Sequence, residues 1–154
     1  MIKVNSARVI QILDNTKECF HNTKSDINLY NENKDNQLLC GALERAIRHD
    51  IADIFKNLED YLALILKTAG IGISKKSFKK ALISAKEENL IDKDFAVFME
   101  DKIIIRNYFS HRYKYPTTQA LIEFYLDNEE LFNKHITFIE NISNDLMKDN
   151  VSLF

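Results

Sequence analysis

An all-α fold, an antiparallel bundle of four or five helices, is predicted by three observations on this chain of 154 residues. Glycine occurs three times and proline once, too few breakers for a succession of strands and tight turns. From Leu38 onward, Leu39, Leu43, Ile47, Ile51, Ile54, Leu58, Leu62 and Ile65 recur at steps of three and four, the period of a helix with one buried face. The chain is 45% hydrophobic and 29% charged, the balance of a protein that buries one core, so residues 1–154 are expected to form a single domain.

Each element has its own signal. Val9, Ile10, Leu13 and Phe20 point to a first helix within Val4 to Asn36, closed by the polar run Asn31 to Asn36. The long second helix follows and stops at Thr68-Ala69-Gly70-Ile71-Gly72, because glycine accepts the left-handed conformation that closes a helix. Ser74 is the expected cap of a third helix, from about Lys75 to Glu88, with Phe78, Leu82 and Ile83 as its apolar positions. After a loop at Asn89 to Asp92, a fourth helix is expected from about Phe95 to Arg112. Pro116 keeps Tyr115 extended and separates it from a last helix, from Thr117 or Thr118 to Asp149. The buried side of that helix is read as Leu121, Phe124, Tyr125, Leu131, Phe132, Ile136, Ile139 and Ile142. Neither long helix can bury its stripe alone, so the helices must pack against one another.

Charge and cysteine content exclude several classes of function. A net charge of -2 and a pI near 6.1 argue against sequence-blind binding to duplex DNA, which needs a strongly basic surface. Any nucleic-acid contact must be local: Lys75, Lys76, Lys79 and Lys80 form one basic group, equally readable as a solvated helix face, and Arg106, Arg112 and Lys114 a second. Cys19 and Cys40 have neither disulfide-framework nor zinc-site spacing. The N-terminus lacks a long apolar run, and Tyr61 to Leu66 is too short to span a bilayer. A reducing, cytoplasmic setting without a membrane partner is expected. His49, Asp50 and Asp53 could be read as a metal cluster, but His21 and His135 add no ligand-like spacing, so no metal is expected.

Chemistry concentrates in Arg106-Asn107-Tyr108-Phe109-Ser110-His111-Arg112-Tyr113, which reads R-N-x3-H-x-Y and follows the apolar run Ile103-Ile104-Ile105. The run is expected to end a buried helix and deliver polar groups to a surface. Arginine brings a permanent fork of donors, histidine a proton carrier near neutral pH, and tyrosine a hydroxyl open to modification. Residues five apart lie about 140° around an ideal helix, so Arg106 and His111 do not share a tight face. Either the long arginine reaches round or the helix loosens near Phe109. Asn107 and His111, four apart, do share a face. A plainer reading also stands: Arg106 pairs with an acid on the second helix, and His111 is favoured at a helix C-terminus by the macrodipole.

The R-N-x3-H-x-Y run resembles the signature of the HEPN superfamily, small helical proteins that often work beside minimal nucleotidyltransferases. Asn57-Leu58-Glu59-Asp60-Tyr61-Leu62, and Lys80-Ala81 through Asn89-Leu90-Ile91-Asp92, are similar to the family's second helix and middle segment, so the resemblance covers roughly Leu38 to Ile142. It implies a symmetric homodimer with two motifs facing one cleft, and a metal-independent endoribonuclease of the HepT-like toxin kind. RNA would be the substrate and no cofactor would be required. The implied catalytic pair is Arg106 and His111, with Asn107 in support. Tyr113 would be the residue that a partner nucleotidyltransferase, the antitoxin, adenylylates. Relatives carry an acid or amide on the second helix that braces the motif arginine. The matching positions here are Arg48, Ala52 and Lys56, leaving Asp53 or Asp60 as the expected substitute. The alternative the resemblance offers is a non-catalytic subunit that presents a nucleotide or acceptor to a nucleotidyltransferase.

Overall fold

A computed structural model describes residues 6–72, 77–111 and 116–151, with the side chains of 110, 111 and 149–151 left aside. Seven α-helices and no strand occur among the described residues. They are α1 (Ser6–Glu32), α2 (Gln37–Thr68), α3 (Phe78–Glu87), α4 (Lys93–Asp101), α5 (Ile103–His111), α6 (Thr118–Leu126) and α7 (Glu129–Val151).

Helix α1 buries Val9, Ile12, Leu13, Thr16, Cys19, Phe20, Thr23 and Ile27. Its two buried threonines cost little, because each returns its hydroxyl to its own helix: Thr16 to the Ile12 carbonyl and Thr23 to the Cys19 carbonyl, both at 2.7 Å. On α2 the expected stripe is buried from Leu43 to Ile65, whereas Leu39, in the first turn, is 37% exposed. Asn36 caps this helix, accepting from the Leu39 N–H at 3.1 Å. At the other end Gly70 takes φ +73°, and the Ile71 and Gly70 N–H groups return to the Leu66 and Lys67 carbonyls at 2.9 and 3.1 Å. This is a Schellman closure, with Ile71 packed against the core.

Three boundaries differ from the sequence reading, each for a local reason. Helix α3 starts at Phe78 on a cap by Ser77, which accepts from the Lys80 N–H at 3.2 Å; Ser74, the expected cap, lies outside the described residues. Asn89, at φ 56°, closes α3 as Gly70 closes α2, with the Leu90 N–H on the Ala85 carbonyl at 2.8 Å. The expected fourth helix is two helices, broken at Lys102. In one continuous helix Lys102 would stand on the same face as the buried Phe95, Phe98 and Met99, so the break keeps a lysine stem out of the core. The expected last helix also divides, at Asp127 and Asn128. There the Asn128 side chain donates to the Phe124 carbonyl at 3.0 Å, and Glu129 and Glu130 begin α7 where a helix favours negative charge.

Helices α1 and α7 run antiparallel, tied by Lys17–Glu140 at 2.7 Å and by Lys24–Glu129. Helix α4 lies along α7 through Lys134–Asp94 at 3.0 Å, and α3 meets α4 through Lys86–Glu100 at 2.8 Å. Phe132, fully buried on α7, is the hub of the core: its ring meets Phe20, Phe95, Phe98, Phe124 and Tyr125 at centroid distances of 4.9 to 5.8 Å. Among the described residues no helix is long and apolar enough to cross a membrane.

Candidate functional site

The motif residues from Arg106 to His111 lie on α5, a short helix packed on the α2 surface rather than the end of a buried one. Of Ile103, Ile104 and Ile105 only Ile105 is buried, and Ile104 is 60% exposed. Arg106 follows and remains half-buried. Its Nε and Nη2 both donate to Oε1 of Glu59 on α2, at 2.8 and 2.6 Å, and Nη1 makes a longer contact of 3.4 Å with Oδ1 of Asn107. The guanidinium carbon stands over the Phe78 ring, 5.6 Å from its centroid. The arginine is therefore met at its edge by a carboxylate and at its face by an aromatic ring.

The carboxylate brace is Glu59, not Asp53 or Asp60. Glu59 is three residues beyond Lys56, so it continues by one turn the helical face that runs through Arg48, Ala52 and Lys56. That turn was within view in Asn57-Leu58-Glu59-Asp60, where Glu59 and Asp60 lie three and four residues beyond Lys56 and packing against α5 selects Glu59. Asp53 is six residues earlier, about 120° away around the helix. It binds Nε2 of His49 at 3.2 Å, an i,i+4 pair on α2, and lies close enough to Cys19 of α1 to raise that thiol's pKa.

Helix α5 continues in α-form through its last residue, His111, without loosening at Phe109. Arg106 and His111 consequently diverge around the axis while lying about 7.5 Å apart along it. Asn107 occupies the turn below His111 and bonds Nη1 of Arg106. The His111 side chain, Arg112, Tyr113 and Lys114 lie outside the described residues. So do Lys75 and Lys76. Lys79 and Lys80 are exposed in the turn of α3 that begins with Phe78, which puts positive charge on the helix whose first ring meets Arg106.

A second polar group, from which the sequence reading drew Asp50 and Asp53 only as a metal cluster it set aside, lies in the seam between α1 and α2. Asp50 is only 9% exposed. Burial first, then a hydrogen bond and the negative charge of Asp26, then Asp53, push its carboxyl up to about 8. The shift favours the protonated carboxyl, and Asp50 Oδ2 is buried without a hydrogen-bond partner among the described residues. Beside it the Cys19 thiol, which donates to the Asp50 carbonyl at 3.4 Å, is pushed up to about 12 by burial and by Asp53 and Asp50. That makes it a poor nucleophile. His135 is buried within the core, stacked on Phe95 at 4.3 Å, and burial lowers it to about 3, so its imidazole is neutral. Among the described residues no group of three or more His, Cys, Asp or Glu side chains could hold a metal ion. Comparisons of the chain with protein-family models, with curated proteins and with solved structures found no match.

Proposed function

We propose that this chain is a metal-independent endoribonuclease of the HEPN superfamily, of the HepT-like kind, working as a symmetric homodimer. The observation that carries the reading is the half-exposed Arg106, braced by Glu59 and contacted by Asn107, on the helix that ends at His111. An orientated cation and a histidine on one short helix match the needs of RNA cleavage. A base must take the ribose 2′-OH proton, and a cation must meet the charge that builds on phosphorus. In the proposed reaction the 2′ oxygen attacks phosphorus and the bond to the 5′ oxygen breaks. A second histidine protonates that leaving oxygen, giving a 2′,3′-cyclic phosphate and a 5′-hydroxyl end. One His111 per chain serves one proton transfer, and the partner protomer supplies the other. Tyr113 is the proposed handle for a partner nucleotidyltransferase, because an adenylyl phosphate there would compete for Arg106.

A second reading is favoured by Glu59 itself. One carboxylate oxygen already takes two guanidinium donors, which compensates the charge and suits an ion pair that straps α5 to α2. In that reading the protein is a non-catalytic subunit presenting a nucleotide or acceptor to a nucleotidyltransferase. Incubation of the purified protein with end-labelled RNA in EDTA, beside Arg106→Ala and His111→Ala, separates the two. Cleavage by the wild type alone supports the nuclease, and intact RNA in all three lanes supports the binding subunit. Co-expression with a minimal nucleotidyltransferase, followed by intact-mass measurement of wild type and Tyr113→Phe, tests the modification.

A further inference from the structure

We infer that the exposed face of α2 is the track for single-stranded RNA, holding its phosphates through Arg45, Lys56 and Lys67 and carrying the strand past Arg106. The inference rests on the nuclease reading and names residues that the motif does not contain. Arg45, Lys56 and Lys67 follow one another at steps of eleven residues, and all three are exposed. Eleven residues make three helical turns to within about 20°, so the cations stand in one row, about 33 Å long at about 1.5 Å per residue. Lys17, Lys24, Lys86, Arg106 and Lys134 each reach an acid on another helix. By contrast, Arg45, Lys56 and Lys67 have no ion-pair partner among the described residues.

The row has the form of one backbone. Along the same face stand Ala42, Ala52 and Ala63, whose methyl groups let a strand lie close to the helix. His49 and Asp53 pair with each other at 3.2 Å, so the three cations face one exposed acid, Asp60, about 40° round the helix from Lys56. A positive row one residue wide suits a single chain of phosphates. A duplex presents two chains and needs the broad basic surface that a net charge of -2 does not supply. The row also leads to the site. Glu59, which holds Arg106 at 2.8 and 2.6 Å, lies along the helix between Lys56 and Lys67 and about 60° round from Lys56. A strand bound to Lys56 and Lys67 therefore passes beside the guanidinium. Its contacts are to phosphate, so they place the strand without selecting a sequence.

The test measures binding of a fluorescently labelled, 2′-O-methylated oligoribonucleotide, whose blocked hydroxyl cannot attack, by anisotropy over a series of KCl concentrations in EDTA. Wild type is set beside Arg45→Gln, Lys56→Gln, Lys67→Gln and the triple variant, with Lys148→Gln on α7 as an exposed cation off the row. Each phosphate contact on a single strand contributes about 0.7 to the slope of log affinity against log salt. Each substitution in the row should therefore flatten the slope by about 0.7, and the triple variant by about 2. Affinity in low salt should fall about threefold or more for each single change, while melting temperatures hold and Lys148→Gln binds as wild type does. No binding by the wild type, a slope kept by the triple variant, or an equal loss in Lys148→Gln overturns the inference. So does tighter binding of a labelled polyglutamate of equal charge, which would make the face a site for an acidic protein. Cleavage of unmodified RNA is scored separately. A wild type that binds through the row and cuts nothing removes the nuclease reading and leaves the row as a binding surface, whereas cutting with unchanged slopes removes the track alone.

Discussion

Replacing Asp50 by asparagine should make the protein more stable at pH 7.5 and less dependent on pH. Asp50 is buried beside Asp26, and its carboxyl is raised from 3.8 to about 8. Between those values the folded chain keeps a proton that the unfolded chain has lost. Folding therefore takes up a proton in this range, and stability falls as pH rises through it. This contribution is whole below about pH 4 and gone above about pH 8. At about 1.36 kcal/mol per unit the full span is on the order of 5 kcal/mol, and sharing of the proton with Asp26 together with local relaxation reduces it to about 2 to 3 kcal/mol. An asparagine at position 50 keeps the shape of the side chain and has no proton to lose. Urea unfolding followed by circular dichroism, at pH 4.5, 6.0, 7.5 and 8.5, should give curves that converge at the acid end. At pH 7.5 and above the variant should lead by about 2 kcal/mol. Two parallel curves, or a variant weaker than wild type by the same margin at every pH, would refute the buried proton.

His135 acts in the opposite direction. Burial lowers it to about 3, so the stability it lends is present above its unfolded value of 6.5 and lost as pH falls through that value toward 3. His135→Leu should therefore gain about 2 kcal/mol over wild type at pH 5 relative to their difference at pH 7.5, read from the same urea curves. Phe132→Ala removes the ring on which five others converge and should cost about 3 to 5 kcal/mol by urea unfolding, with the protein still helical in mild conditions. Glu59→Gln should lower RNA cleavage about tenfold or more, while costing no more than about 1 kcal/mol in stability, because a half-exposed ion pair is worth little to the fold.

Much of the fold was legible in the sequence because α2 carries a clean stripe, from Leu43 to Ile65, and ends on Gly70. The divisions at Lys102 and at Asp127-Asn128 were not, for different reasons. Lys102 breaks a helix by what it must avoid, the face of Phe95, Phe98 and Met99, and nothing in its own propensity marks a stop. Asp127-Asn128-Glu129-Glu130 is a stop followed by a start, readable from its side chains, but it is masked by apolar residues that keep a helical period across it. At the site, Arg106 and Asn107 stood out by motif, whereas their neighbours came from packing. Extending the Arg48-Ala52-Lys56 face by one turn reaches both Glu59 and Asp60, and only the docking of α5 chooses Glu59. Phe78 could not be found at all, because only the docking of α3 against α2 brings its ring to Arg106. The influence of Asp26 on Asp50 was likewise hidden, since the two acids lie on different helices and only the docking of α1 on α2 brings them near each other.

The most direct measurement of the account is the fate of a single-stranded RNA of defined sequence incubated with the purified protein in EDTA, resolved by gel and by mass spectrometry of the ends. Internal cleavage is expected, with 2′,3′-cyclic phosphate and 5′-hydroxyl termini. Arg106→Ala and His111→Ala should abolish it while keeping the helical signal and a melting temperature near wild type. Cleavage that vanishes with chelation, or that His111→Ala performs as well as the wild type, would contradict it.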